Sequence, residues 1–157
     1  MKETYSSTEL EDILRKHQLK YERNRPVEGE YVHLTEKLDY YVKEGIGILL
    51  KKDRSEEKDT YRHAIVYGPP YKTTGFMDAV LARIAEHDDI GIGTGSAPKK
   101  ASIARIPVQY FRQKADSPEE IINAVKKIQK ADKAYRNAEK KHDMIISRLL
   151  PQDYNKK

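Results

Sequence analysis

Cysteine and tryptophan are absent from the 157 residues, and phenylalanine occurs only twice. Without cysteine there is no disulfide, no thiolate zinc site, no iron–sulfur cluster and no cysteine nucleophile. Amide side chains are scarce too, with Asn and Gln together numbering nine. Long apolar runs are missing: no stretch approaches the roughly 20 residues that span a bilayer. The first 15 residues are charged and capped like a helix, unlike a signal peptide. The expectation is a soluble, intracellular protein with no membrane partner.

What is present points to a folded chain. Apolar residues make up 38% and charged residues 35%, with a mean hydropathy of −0.85; the apolar content is too high and too periodic for disorder. The length suits a single domain over 1–157, burying roughly 70% of its unfolded surface. Abundant Lys and Glu, eleven Tyr and few amides lean toward the thermophile pattern. The formal charge of +5 is unevenly spread. Residues 1–75 are net zero, residues 76–98 are net −3, and residues 99–157 are net +8. A short acidic island stands directly before a strongly basic half.

Periodicity and capping predict the order of elements. Leu10, Ile13 and Leu14 form the stripe of a helix from about Thr8 to Gln18, with Ser6–Glu9 and Thr8–Glu11 both at capping-box spacing. Residues 20–33 read as a loop or short irregular strand. Thr35 as N-cap and Gly45 past the end predict a second helix whose inner face is Leu38, Tyr41 and Val42. Strands over Ile46–Lys52 and Thr60–Tyr67, joined by the polar 53–59 segment, predict an antiparallel hairpin. A third helix from about Gly75 to His87 would bury Phe76, Met77, Val80, Leu81 and Ile84. Ile90–Gly95 reads as a short strand. Another over 101–112 has Ala104, Ile106, Val108 and Tyr110 on one side, and Pro107 marks an edge or bulge.

The last element has the strongest signal. Ser117-Pro118-Glu119-Glu120 combines an N-cap, a first-position proline and a capping-box acid. Ile121, Val125, Ile128, Ala131, Tyr135, Ala138, His142, Ile145 and Leu149 then recur at steps of three and four. This predicts a helix over about 118–149, roughly 45 Å long, stopped by Pro151 and followed by a basic tail over 151–157. The fold class is α+β: a small antiparallel sheet packed with helices and one long C-terminal helix.

Three regions carry candidate chemistry. A helix C-terminus holds a partial negative charge that favours cations, yet Glu86, Asp88 and Asp89 crowd one. On the helical wheel Glu86 lies almost opposite the apolar stripe, sharing a face with Ala79, Ala82 and Arg83. Clustered carboxylates beside a Gly-rich bend would suit Mg²⁺ or Mn²⁺, and such an ion could polarise a phosphodiester. The plain alternative is a solvated helix end with Glu86 paired to Arg83. Next, Gly91-Ile92-Gly93-Thr94-Gly95-Ser96 before Lys99 and Lys100 reads as a flexible hairpin turn or a phosphate contact, and 68–75 as a proline turn or an anion site at a helix start. Finally, Lys126, Lys127, Lys130, Lys133, Arg136, Lys140, Lys141 and Arg148 make the long helix basic, either as a track for DNA phosphates or as a solvated face.

The length, the order of elements, the cysteine-free Lys/Tyr-rich composition and the segment Arg83-Ile84-Ala85-Glu86-His87-Asp88-Asp89 resemble a small nuclease of an Acidianus filamentous virus, one of the lipothrixviruses of hyperthermophilic archaea. The resemblance implies an α+β fold distantly similar to nucleotidyltransferases, nuclease activity on linear double-stranded DNA in the cytoplasm of the infected host cell, and a catalytic carboxylate at Glu86. Gly95-Ser96 could stand for the nucleotidyltransferase Gly-Ser pair, but no Asp-x-Asp follows at the usual spacing. Together these give a metal-dependent nuclease: Glu86 as metal ligand or general base, Asp88 and Asp89 helping to hold the ion, Lys99, Lys100 and Arg105 steadying the phosphate, and Lys126, Lys130 and Lys133 guiding the duplex. A non-enzymatic viral DNA-binding protein is the alternative. A helical scaffold or homodimer built on the long helix is a third reading.

Overall fold

A computed structural model describes residues 4–24, 36–42, 45–52, 60–73, 75–98 and 105–149. The elements run α1 (Ser7–Lys16), β1 (Tyr21–Asn24), β2 (Glu36–Val42), β3 (Ile46–Lys52), β4 (His63–Tyr67), α2 (Phe76–Asp88), β5 (Gly91–Pro98), β6 (Arg105–Ala115) and α3 (Pro118–Leu149). The strands form one antiparallel sheet in the order β1-β2-β3-β4-β6-β5. The fold is α+β with a long C-terminal helix, and the β3–β4 hairpin pairs Gly47 with Tyr67 and Lys51 with His63. No described helix is long and apolar enough to cross a membrane.

Of the two possible caps on α1, the chain uses Ser6, whose Oγ accepts the Glu9 amide at 3.2 Å. Leu10 and Leu14 are then fully buried. The segment expected as a second helix is instead β2. Its backbone pairs on both sides, Tyr40 lying opposite Arg23 of β1 and Ile48 of β3. Tyr40 and Val42 alternate into the core, which is period two, and the Tyr-Tyr-Val run favours a pleated, half-buried surface. Gly45 supplies the positive φ of 82° that the chain needs on its way into β3.

All three helices cover the same face of the sheet. Leu10 and Leu14 of α1, Leu81 and Ala85 of α2 and Ile121, Val125 and Ile128 of α3 share one apolar cluster with Tyr40, Ile48, Val66 and Phe111 of the strands. On the opposite face two tyrosines lie against glycines directly across the ladder: Tyr67 over Gly47 and Tyr110 over Gly93. A Cβ at either glycine would clash with the tyrosine ring, and Gly91, Gly93 and Gly95 pair with Arg112, Tyr110 and Val108 of β6, so they belong to strand β5 and not to a flexible turn. Pro107 sits in the part of β6 that pairs with β5 alone, beyond the stretch where β4 joins at Arg112–Ala115. That is the edge position its missing N–H requires.

The ladder of α3 is buried from Ile121 to Tyr135 and half-buried at Ala138 and His142. Ile145 and Leu149, expected on the inner face, are exposed, as are Met144 and Ile146. The reason is length: 32 residues make about 48 Å of helix, and it runs past the elements it packs on. Phe76 was also expected inside; it is exposed at the start of α2, with its ring stacked on His142 at 5.0 Å.

Candidate functional site

At its C-terminus α2 stops in a left-handed turn. Asp89 has φ 56°, its amide bonds to the Glu86 carbonyl, and the Ile90 amide reaches back to the Ala85 carbonyl at 2.9 Å. Ile90 and Ala85 are both buried, so the turn is pinned from below. Asp is among the few residues besides Gly that adopt this conformation, which accounts for Asp89 locally. Asp88 is largely buried, its Oδ1 lying 3.0 Å from His87 Nδ1. Glu86 stands alone: it is exposed, and its carboxylate makes no hydrogen bond or ion pair with any described residue, Arg83 included.

Glu86, Asp88 and Asp89 therefore do not converge on one ion. Among the described residues no group of three or more His, Cys, Asp or Glu is arranged to hold a metal. Lys99 and Lys100 lie outside the described residues, and of Arg105 only the backbone is described, opposite Pro98 at the start of β6. The anion site weighed at 68–75 meets an acid. Asp78 in the first turn of α2 accepts from Thr73 Oγ1 and from Gln109 Nε2, the latter at 2.8 Å, so a carboxylate already stands at that helix start.

The basic half is better organised. Lys126 projects from α3 toward α1, with Nζ 3.5 Å from His17 Nδ1. Farther along, Lys130, Lys133, Arg136 and Lys140 line one open groove of about 1030 Å³, whose other wall includes Gly45 and Pro69. Positions 126, 130, 133 and 140 fall on one side of the helix by their spacing.

The groove contains a residue the sequence did not single out. Asp132 is 4% exposed. It accepts the Tyr71 hydroxyl, and Arg136 Nε donates to both of its oxygens, at 3.1 and 3.0 Å. Tyr71 stacks on Tyr135 with ring centroids 4.1 Å apart. Burial, reinforced by the bond to Asp132, pushes the Tyr71 phenol well above its ordinary range. The available signal was an acid inside the apolar ladder, between Ala131 and Tyr135, with an arginine one turn on.

Compared with known proteins, the chain matches no family model, no curated protein and no solved structure.

Proposed function

We propose that the protein is a nuclease that hydrolyses phosphodiester bonds of linear double-stranded DNA, with Glu86 as its catalytic carboxylate. The observation that carries this reading is the isolation of Glu86: an exposed carboxylate at a helix end that disfavours it, with no cation of the described protein compensating it. Such a group is free to accept a proton from water. As general base Glu86 takes a proton from water while the water oxygen bonds to phosphorus; the bond from phosphorus to the sugar oxygen breaks, and that oxygen leaves with the electron pair and takes a proton from solvent. Cations along α3 would hold the flanking phosphates.

In its alternative role Glu86 would be the metal ligand, since Mg²⁺ is usually bound by one or two carboxylates together with substrate phosphate and water. The ion would polarise the phosphodiester. Asp88 and Asp89, expected to help hold the ion, form no three-residue ligand group with Glu86 among the described residues. The distant likeness to nucleotidyltransferases and the setting, the cytoplasm of an infected archaeal cell, belong to the same reading and rest on the sequence resemblance alone.

Replacing Glu86 by Gln should leave folding and DNA binding intact and reduce cleavage of linear duplex by about 10² to 10⁴-fold. Chelator should stop cleavage and Mg²⁺ or Mn²⁺ restore it. Normal cleavage by Glu86→Gln would sink the assignment, and full activity in chelator would remove the ion from it. The second reading, a DNA-binding protein without hydrolytic activity, is favoured by the basic groove standing complete without Glu86. It predicts duplex that survives long incubation intact with every metal tried.

A further inference from the structure

Burying a carboxylate is expensive unless it is fully paired, and a buried ion pair rarely stabilises a fold more than an apolar pair of the same volume would. Asp132 is buried all the same, and what its pairing achieves is geometric. Arg136 is half-exposed, and both carboxylate oxygens hold its Nε. The two terminal nitrogens of the guanidinium, the fork that matches a phosphate, make no hydrogen bond to a described residue. They belong to a groove where Lys130, Lys133 and Lys140 stand nearby and Gln129 and Asn137 add amide donors. Asp132 is the one acid among the described lining residues, which together carry net +3.

We propose that this groove is a phosphate-binding site for DNA, with Arg136 as the anchor and Asp132 and Tyr71 as positioning residues that fix its fork. The proposal rests on DNA being the partner, not on Glu86 being the catalyst. Its chain of contacts is short: Tyr71, braced by the Tyr135 ring, holds Asp132, and Asp132 holds Arg136. A mere patch of positive charge would need neither the buried acid nor the tyrosine.

The test is binding of the full chain to a short duplex across a salt series, with duplex integrity read on a gel so that cleavage is scored separately. Arg136→Gln and Arg136→Lys should both weaken binding about tenfold or more, because Lys keeps the charge and loses the fork. Arg136→Gln should also flatten the log–log salt slope by about 0.9, whereas Arg136→Lys, which keeps the charge, should leave the slope nearly unchanged. Asp132→Asn should weaken binding although it makes the groove more positive. Simple charge attraction demands the reverse, so tighter binding by Asp132→Asn, or wild-type binding by Arg136→Lys, overturns the proposal. If Asp132→Asn fails to fold, Tyr71→Phe, which alters no charge, takes its place and should also weaken binding; the two Arg136 variants decide in either case. Comparing 5′-phosphorylated linear, 5′-hydroxyl linear and closed circular duplex assigns the phosphate. Equal loss in all three arms points to an internal phosphodiester, and loss confined to the first points to a terminal monoester. No loss in any arm refutes the site. Failure of Glu86→Gln to abolish cleavage would leave this result standing.

Discussion

Tyr71 and Tyr135 stack on each other, yet their hydroxyls have opposite fates. The first donates to Asp132, while the second is buried with no hydrogen-bond partner among the described residues. Removing a satisfied buried partner strands the other group, whereas removing an orphan relieves a desolvation cost. Tyr71→Phe should therefore destabilise the fold by about 1–3 kcal/mol, and Tyr135→Phe should leave it unchanged or up to about 1 kcal/mol more stable. Denaturant midpoints of the two variants check this directly. The same burial sets an alkaline limit. Desolvation, helped by Glu139 and Asp78, holds the Tyr135 phenol up to about 12, against an unfolded value near 10. Below about pH 10 both states keep the proton and stability is intact; from there to about pH 12 only the unfolded chain ionises, so stability falls. Tyr5 and Tyr71 shift in the same direction, Tyr5 chiefly by burial and then by the charge of Asp116. Tyrosinate absorbance should accordingly show a late fraction that appears together with unfolding. Smooth ionisation of all eleven tyrosines near pH 10 would contradict it.

Among the elements, α3 shows most clearly how burial, not pattern, decides energetics. Ile128 and Ile145 occupy equivalent steps of one apolar ladder, but the first is fully buried and the second 55% exposed. Ile128→Ala should cost about 2–5 kcal/mol, and Ile145→Ala should stay within about 0.5 kcal/mol; thermal midpoints separate them. A long amphipathic ladder with a proline start is legible in sequence because each residue repeats the same message. Where the ladder leaves its neighbours behind is not legible, since that depends on how far the sheet and α2 reach. The strand β2 was missed for a related reason. Adjacent Tyr40 and Tyr41 satisfy either period, one completing the helical face and the other the alternating one, and only the two flanking strands choose between them. The β3–β4 hairpin carried no such ambiguity, because Ile46, Ile48 and Leu50 alternate cleanly into the core. At the candidate site Glu86, Asp88 and Asp89 were visible as charges, but their separate fates were not: the left-handed cap at Asp89 and the contact of Asp88 with its neighbour His87 are local conformational choices that charge alone does not reveal. Asp132 was hidden for the opposite reason, as one acid in a helix rich in charge.

For the molecule as a whole, the net charge of +5 understates the field a polyanion would meet. The excess sits in residues 99–157, and α3 arranges part of it, Lys126, Lys130, Lys133, Arg136 and Lys140, along a helix about 48 Å long. Counterion release turns that arrangement into a number. If all five cations neutralise duplex phosphates, the slope of log affinity against log salt should be about −4.5, so a fourfold rise in salt should weaken binding by roughly 500-fold. Removing one cation, as in Lys126→Gln, should flatten the slope by about 0.9 and weaken every sequence alike, because phosphate contacts carry no base information. Titrating duplexes of unrelated sequence over a salt series measures both quantities. A slope shallower than about −2 would mean that the strip does not follow the backbone, and a marked sequence preference would mean that something other than α3 makes the dominant contact. The same series bears on hydrolysis. If Glu86 is the catalyst proposed above, a chain that holds linear duplex by phosphates alone can bring any bond to it, so cleavage should fall with salt in parallel with affinity and show no preferred sequence.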